Sequence, residues 1–195
     1  MENLLSSLSK VSETSINSNI IKNILEKTDI KNINYKDYIS GYDLSKYNKI
    51  VIKSKPLKIF LVTWPSQSIL PIHQHNKYWG YIAVLKGLIS ESLYSYDDND
   101  KVLSIHPSRS MKRGEIIYEP LNIIHQLTNP SPLDVSISLH LYYPPNYDYE
   151  GTMMFDAENK KLAELTKDAP CVSWNHPDKF YKRLEENAFE VAKLW

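Results

Sequence analysis

The sequence holds a single cysteine (Cys171), three arginines (Arg109, Arg113 and Arg183), five glycines and no surplus of charge, with 23 basic residues against 23 acidic ones among 195. Each shortage excludes something. One thiol can form neither an internal disulfide nor a cysteine-based zinc site. Balanced charge without a dense Lys/Arg cluster leaves no track for a polyphosphate, so nucleic acid is not expected as a partner. The longest apolar runs, such as 59–63, are strand-length and far short of the ~20 residues of a membrane span. Residues 1–10 lack the basic flank, long apolar stretch and cleavage site of a signal peptide. The expectation is a cytoplasmic protein with no membrane partner. Arginine is scarce beside twenty lysines. This reads as a compositional bias, so a lysine in an arginine's place carries less meaning than usual.

A chain of 195 residues that is 42% apolar can close one real core. We divide it into a lead-in (1–45), a β-rich centre (46–145) and an extension (146–195). In the lead-in, Leu4, Leu5, Leu8 and Val11, then Ile16, Ile20, Ile21, Ile24 and Leu25, recur every three or four residues. That spacing predicts amphipathic helices, with Ser18 or Asn19 capping the second. The centre alternates short Val/Ile/Tyr-rich stretches with turn signals. Strands are expected at 49–53, 57–64, 70–75, 79–86, 88–96, 101–106, 115–118, 123–128 and 133–143. With no helix between them they predict an all-β sandwich or barrel. In the extension, Phe180, Leu184, Val191 and Leu194 predict a C-terminal helix over 178–195, with Asp178 as its cap behind Pro177.

Four of the six histidines sit in strand-like segments. His73 and His75 are two residues apart, so in a strand both rings face one side. Burying two adjacent imidazoles without a partner is costly, and a metal ion is the natural one. His106 and His176 match no pattern and read as surface or packing residues; Cys171 reads as an inert thiol. The segment Val135–Pro145 places Ser138, His140 and Tyr142 on one side of a strand. Alternation alone leaves open whether that side faces solvent.

The spacing around the histidines is more specific. His75 is followed by Gly80 and Gly87, and Gly114 by Pro120, His125 and Asn129. These intervals resemble the paired motifs of the cupin family, with Asn122 and Gln67 at two positions where the family has Gly; Asn tolerates the left-handed backbone required there. The resemblance implies a single cupin domain over 1–195, a double-stranded β-helix with a metal at its mouth, held by His73, His75 and His125. Most metal-binding cupins place a carboxylate where this chain has Gly80. Its absence implies a dication held by three neutral ligands, with open positions for an anion and a small molecule such as O2.

Ser138, His140 and Tyr142 followed by Pro144 and Pro145 closely resemble the corresponding strand of cysteine dioxygenases. Trp64, Glu91, Tyr94 and the pair Phe155–Asp156 extend that resemblance over about residues 18–172. It implies one mononuclear Fe(II) per chain, a small thiol and O2 as substrates, and conversion of the thiol, foremost L-cysteine, to its sulfinate. Ser138 and His140 would orient the Tyr142 phenol beside the metal. Lys49 would attract the substrate carboxylate with Tyr47 nearby, and Trp79 would lie at the pocket rim. Gly80 precludes the Cys–Tyr cross-link of animal members. Lys49 replaces the family's arginine, which loses a planar bidentate fork. Alternatives are dioxygenation of another thiol, such as 3-mercaptopropionate or a biosynthetic cysteine derivative, and a cupin that binds a metal without catalysis. No flavin or nicotinamide fingerprint is present. A monomer or weak homo-oligomer is expected.

Overall fold

The computed structural model describes residues 1–193. Two helices, α1 (Glu2–Ser9) and α2 (Ser18–Glu26), form the start of the lead-in, followed by the single turn α3 (Lys36–Ile39). The cap of α2 is Asn17, not Ser18 or Asn19: its Oδ1 accepts the Ile20 N–H at 3.1 Å. Leu4, Leu8, Ile21 and Leu25 are fully buried, as their spacing requires.

Fourteen strands follow among the described residues. Those nearest the expected positions are β1 (Asn48–Lys53), β2 (Lys58–Trp64), β3 (Ile72–Gln74), β4 (Trp79–Lys86), β5 (Leu88–Asp97) and β6 (Val102–Ile105), then β8 (Ile116–Glu119), β9 (Ile124–Thr128) and β10 (Ser136–Tyr143). Beyond them lie β7 (Arg109–Lys112), β11 (Met153–Asp156), β12 (Lys161–Leu165), β13 (Tyr181–Glu185) and β14 (Glu190–Lys193). A five-stranded sheet runs β1-β2-β10-β4-β8, and a nine-stranded sheet runs β13-β12-β11-β3-β9-β5-β6-β14 with β7 on β5.

Alternation along β2 and β10 explains how the sheets stack. Ile59, Leu61, Leu139 and Leu141 face outward, beneath the lead-in helices and beside Tyr81 and Leu85. Phe60, Val62, Trp64 and Tyr142 face inward, toward Leu127 and Met154 of the larger sheet. Both sides of the smaller sheet are therefore covered, which is why β2 reads as an unbroken apolar run. A third cluster, with Ile72, Leu103, Phe155, Leu162 and Phe189, lies behind the larger sheet. Strands β11 and β12, beyond the residue-145 boundary, are built into that sheet next to β3.

The expected C-terminal helix is a correction. Residues 178–180 make one 3-10 turn capped by Pro177, then β13 pairs with β12 and β14 runs parallel to β6. Leu184 and Val191, expected along one side of that helix, are 52% and 36% exposed. The unpaired backbone edges of β12 and β6 needed partners, and tertiary pairing overrode the helical spacing. Leu194 lies outside the described residues.

Candidate metal centre and substrate pocket

Strands β3 and β9 lie side by side in the larger sheet, with His73 opposite His125. His75 follows β3 by one residue; its N–H donates to the Ile123 carbonyl at 2.9 Å, and its own carbonyl accepts from Asn122 at 2.7 Å. The turn needs a left-handed residue, and Asn122 supplies it at φ 66°. All three rings are buried.

The His75 Nε2 atom lies 3.3 Å from that of His73 and 3.1 Å from that of His125. The His73 Nδ1–H donates to the Pro71 carbonyl at 3.0 Å, and the His125 Nδ1–H donates to Glu91 Oε1 at 2.8 Å. Those protons leave the Nε2 lone pairs of His73 and His125 bare and turned toward His75 Nε2. Burial, then the neighbouring His125, pushes His73 down to about 3; burial and the other rings hold His75 well below its ordinary value. Three buried, uncharged imidazoles whose ring nitrogens converge this closely form a donor set that fits a metal ion.

Sequence reading missed a residue here. Glu119, at the end of β8, is fully buried beside the triad. Its oxygens lie 3.3 Å from His125 Nδ1 and 3.9 Å from His75 Nδ1. They approach the rear of the rings, away from the converging Nε2 atoms. Burial pushes the Glu119 carboxyl up to about 7 against the pull of His125. The three neutral rings are thus backed by two acidic groups: Glu91 and Glu119 both stand behind them. Burial also works against ionisation of Glu91, but hydrogen bonds from His125 and Arg109 outweigh it and hold that carboxyl low. A glutamate at an inward-facing strand position, two residues after Ile117, was the signal available.

Ser138, His140 and Tyr142 are buried and face inward, so the solvent-facing alternative fails. The Trp64 indole N–H donates to Ser138 Oγ at 2.7 Å; Ser138 lies 2.8 Å from His140 Nε2, and His140 Nδ1 lies 3.0 Å from the Tyr142 oxygen. An indole only donates. Ser138 therefore accepts from Trp64, and with His140 the one other group it bonds, the buried serine proton goes to His140 Nε2, whose Nδ1–H donates to Tyr142. The phenol keeps its proton free to point elsewhere. Burial first, and Glu119 second, hold Tyr142 well above the ordinary phenol range, so it remains a donor.

Gly80 is what lets this ring lie here. It pairs with Tyr142 across β4 and β10, and a Cβ at residue 80 would lie 2.0 Å from Tyr142 Cδ1. Trp79, one residue away, faces the opposite side. It packs with Tyr81, Tyr118 and Tyr143 on the outside of the sheet, so the expectation that it rims the pocket is corrected by strand parity.

Between the sheets lies a small cavity of about 40 Å³, lined among others by Tyr47, Lys49, His73, Tyr142, Tyr147 and Tyr149. The Lys49 ammonium sits 4.2 Å above the Phe60 ring and donates to Tyr149 and Tyr147 at 3.3 and 3.4 Å. Burial, then Lys58, pulls it down to about 8. Tyr47 meets Trp64 edge-on. Tyr147 and Tyr149, not foreseen from sequence, belong to a strap whose alternate residues Asp148 and Glu150 pair with Lys77 at 2.7 and 3.1 Å. The alternating Tyr–Asp–Tyr–Glu run was the legible sign. His106 bonds Ser95 on the surface, and His176 bonds the Cys171 carbonyl; burial raises the Cys171 thiol rather than activating it.

The family model for cysteine dioxygenase type I matches residues 3–157. Cysteine dioxygenase type 1 of Rattus norvegicus is 24% identical over 108 residues, covering 53% of this chain and 54% of the relative. That of Danio rerio is 20% identical over 151 residues, covering 74% and 75%. The chain thus spans about half the length of the rat relative. A solved Klebsiella pneumoniae protein with a double-stranded beta-helix domain is similar at TM-score 0.45 and 14% identity, covering 64% of this chain and 96% of its own. With the family model spanning residues 3–157 of 195, this chain belongs to the cysteine dioxygenase type I family.

Proposed function

We propose that this chain is a mononuclear non-haem iron(II) thiol dioxygenase that converts a small thiol, foremost L-cysteine, with O2 to its sulfinate. One ion per chain would be held by His73, His75 and His125. The observation that carries the reading is the convergence of three Nε2 atoms within 3.1 and 3.3 Å, with a protonated Tyr142 close by on the same cavity. Bound iron supplies the Lewis acidity that makes a thiol a thiolate and the redox capacity to use O2. The overall change, RSH + O2 to RSO2⁻ + H⁺, balances internally: sulfur loses four electrons, O2 gains four, and no reductant is needed.

The chain's own groups do the remaining work. Tyr142, aligned by His140 and Ser138, donates a hydrogen bond to reacting oxygen or substrate. Lys49 draws in a carboxylate, with Tyr47 beside it. Tyr78, buried against the His75 ring, helps keep water out. The rat and zebrafish relatives, named as cysteine dioxygenases, support the reaction class. The small cavity supports a small substrate. A second reading, dioxygenation of 3-mercaptopropionate or a biosynthetic cysteine derivative, is favoured by Lys49, because an ammonium shared with two phenols imposes no bidentate geometry. A cytoplasmic location fits the finding that no helix among the described residues is long and apolar enough to cross a membrane.

The test is a thiol panel. Iron-loaded protein receives each thiol without air, then O2, and products are identified by mass spectrometry. A sulfinate lost in His125→Ala supports the enzyme. Iron-reconstituted protein that binds thiols yet consumes no O2 would instead be a metal-binding cupin without catalysis.

A further inference from the structure

Three imidazoles presenting Nε2 to one ion must each carry their proton on Nδ1, and each buried Nδ1–H needs an acceptor. His73 has the Pro71 carbonyl, and His125 has Glu91. His75 alone has none: its Nδ1 is buried without a hydrogen-bond partner. Neither carboxylate oxygen of Glu119 has a well-formed hydrogen bond, although the Tyr142 phenol lies near enough to interact with this carboxyl. These three atoms lie together, with Glu119 Oε2 3.9 Å from His75 Nδ1, roughly 1 Å beyond hydrogen-bonding distance. Leaving a buried carboxylate and a buried imidazole N–H both unmatched is costly when each can satisfy the other.

The strand register shows why the carboxylate comes from β8. Glu119 pairs directly with Gly80. Any side chain at residue 80 would collide with Tyr142. An acidic group projecting from the neighbouring strand instead reaches the rear of the rings, leaving the Nε2 side open. Glu91 cannot serve His75 in its place, because its two oxygens are engaged by His125 and Arg109.

We propose that Glu119 is a positioning residue for the metal centre, accepting the His75 Nδ1–H and fixing that ring with its Nε2 lone pair toward the ion. The proposal rests on the metal reading above but not on thiol chemistry.

Its test is metal affinity, measured by cobalt(II) absorption titration and by chelator competition with iron(II), for wild type, Glu119→Gln and Glu119→Leu. Loss of an outer partner of a ligating histidine weakens metal binding by ~10- to 100-fold, and Glu119→Leu is expected in that range. The amide oxygen of Glu119→Gln can still accept the proton, so this variant is expected to recover most of the loss. Metal-free Glu119→Leu is expected to melt no lower than wild type, since an apolar side chain replaces an unmatched carboxylate. A purely structural role predicts the reverse, a lower melting temperature with unchanged affinity in the protein that remains folded. In zinc-loaded protein, a slowly exchanging His75 imidazole N–H proton resonance is expected in wild type and Glu119→Gln and absent in Glu119→Leu. Unchanged affinity in folded Glu119→Leu, or equal loss in both variants, overturns the proposal while leaving the metal reading intact. Wild-type protein that takes up no divalent ion defeats both.

Discussion

The two ends of the cavity are built to different standards. At the histidine end, two of the three rings have short hydrogen bonds at 2.8 and 3.0 Å, and every ring is buried. At the lysine end, the Lys49 ammonium makes only long contacts, 3.3 and 3.4 Å, to phenols on a strap, and rests on a ring face. Short, fully specified bonds belong to the part that fixes chemistry. Long, shared ones belong to the part that selects what enters, where an adjustable cation tolerates more than one acid group. Reaction type is therefore written more firmly into this molecule than substrate identity.

The largest expected effect comes from breaking the firm end. His125→Ala should lose metal uptake and with it all thiol-dependent O2 consumption, scored by metal analysis and an oxygen electrode. Tyr142→Phe keeps the ring but removes the donor; a fall of ~10²-fold or more in kcat, with metal content retained, is expected from the loss of a positioned proton donor. Gly80→Ala drives a Cβ into Tyr142 and the Leu141 carbonyl, and should cost about 1–3 kcal/mol of stability, read by denaturant melts, together with a displaced phenol. The smallest effects lie at the loose end. Lys49→Met should raise KM for acid-bearing thiols by ~10-fold, the scale of one charge-assisted hydrogen bond, and leave cysteamine, which lacks the carboxylate, nearly unchanged. Lys49 is charged below its value of about 8 and neutral above it. Affinity for acid-bearing thiols should therefore fall as pH rises through 8, and cysteamine, tested in parallel, should lack that component.

The same contrast describes what the sequence could reveal. His73, His75 and His125 were legible because strand periodicity and fixed intervals put them on one surface. Ser138, His140 and Tyr142 were legible for the same reason, once the outer-facing Leu139 and Leu141 are recognised as covered. Glu119 was not, since its placement behind the rings depends on the pairing of β8 with β4, and the register of non-adjacent strands is not written in either segment. Trp79 misled because closeness in sequence to Gly80 means the opposite face in a strand. The C-terminal segment misled because Phe180, Leu184 and Val191 suit a helix locally, while the open edges of β12 and β6 decided the outcome.

The hydrogen-bonded row ending at Tyr142 begins at an atom with no lone pair to offer. Because the Trp64 indole nitrogen cannot accept and Ser138 bonds no other acceptor than His140, every proton in the row points the same way, and only the last oxygen has a hydrogen to spare. A side chain three bonds removed from the chemistry thus decides whether the phenol gives or takes. Replacing it with phenylalanine would leave the row's members in place and its polarity undetermined.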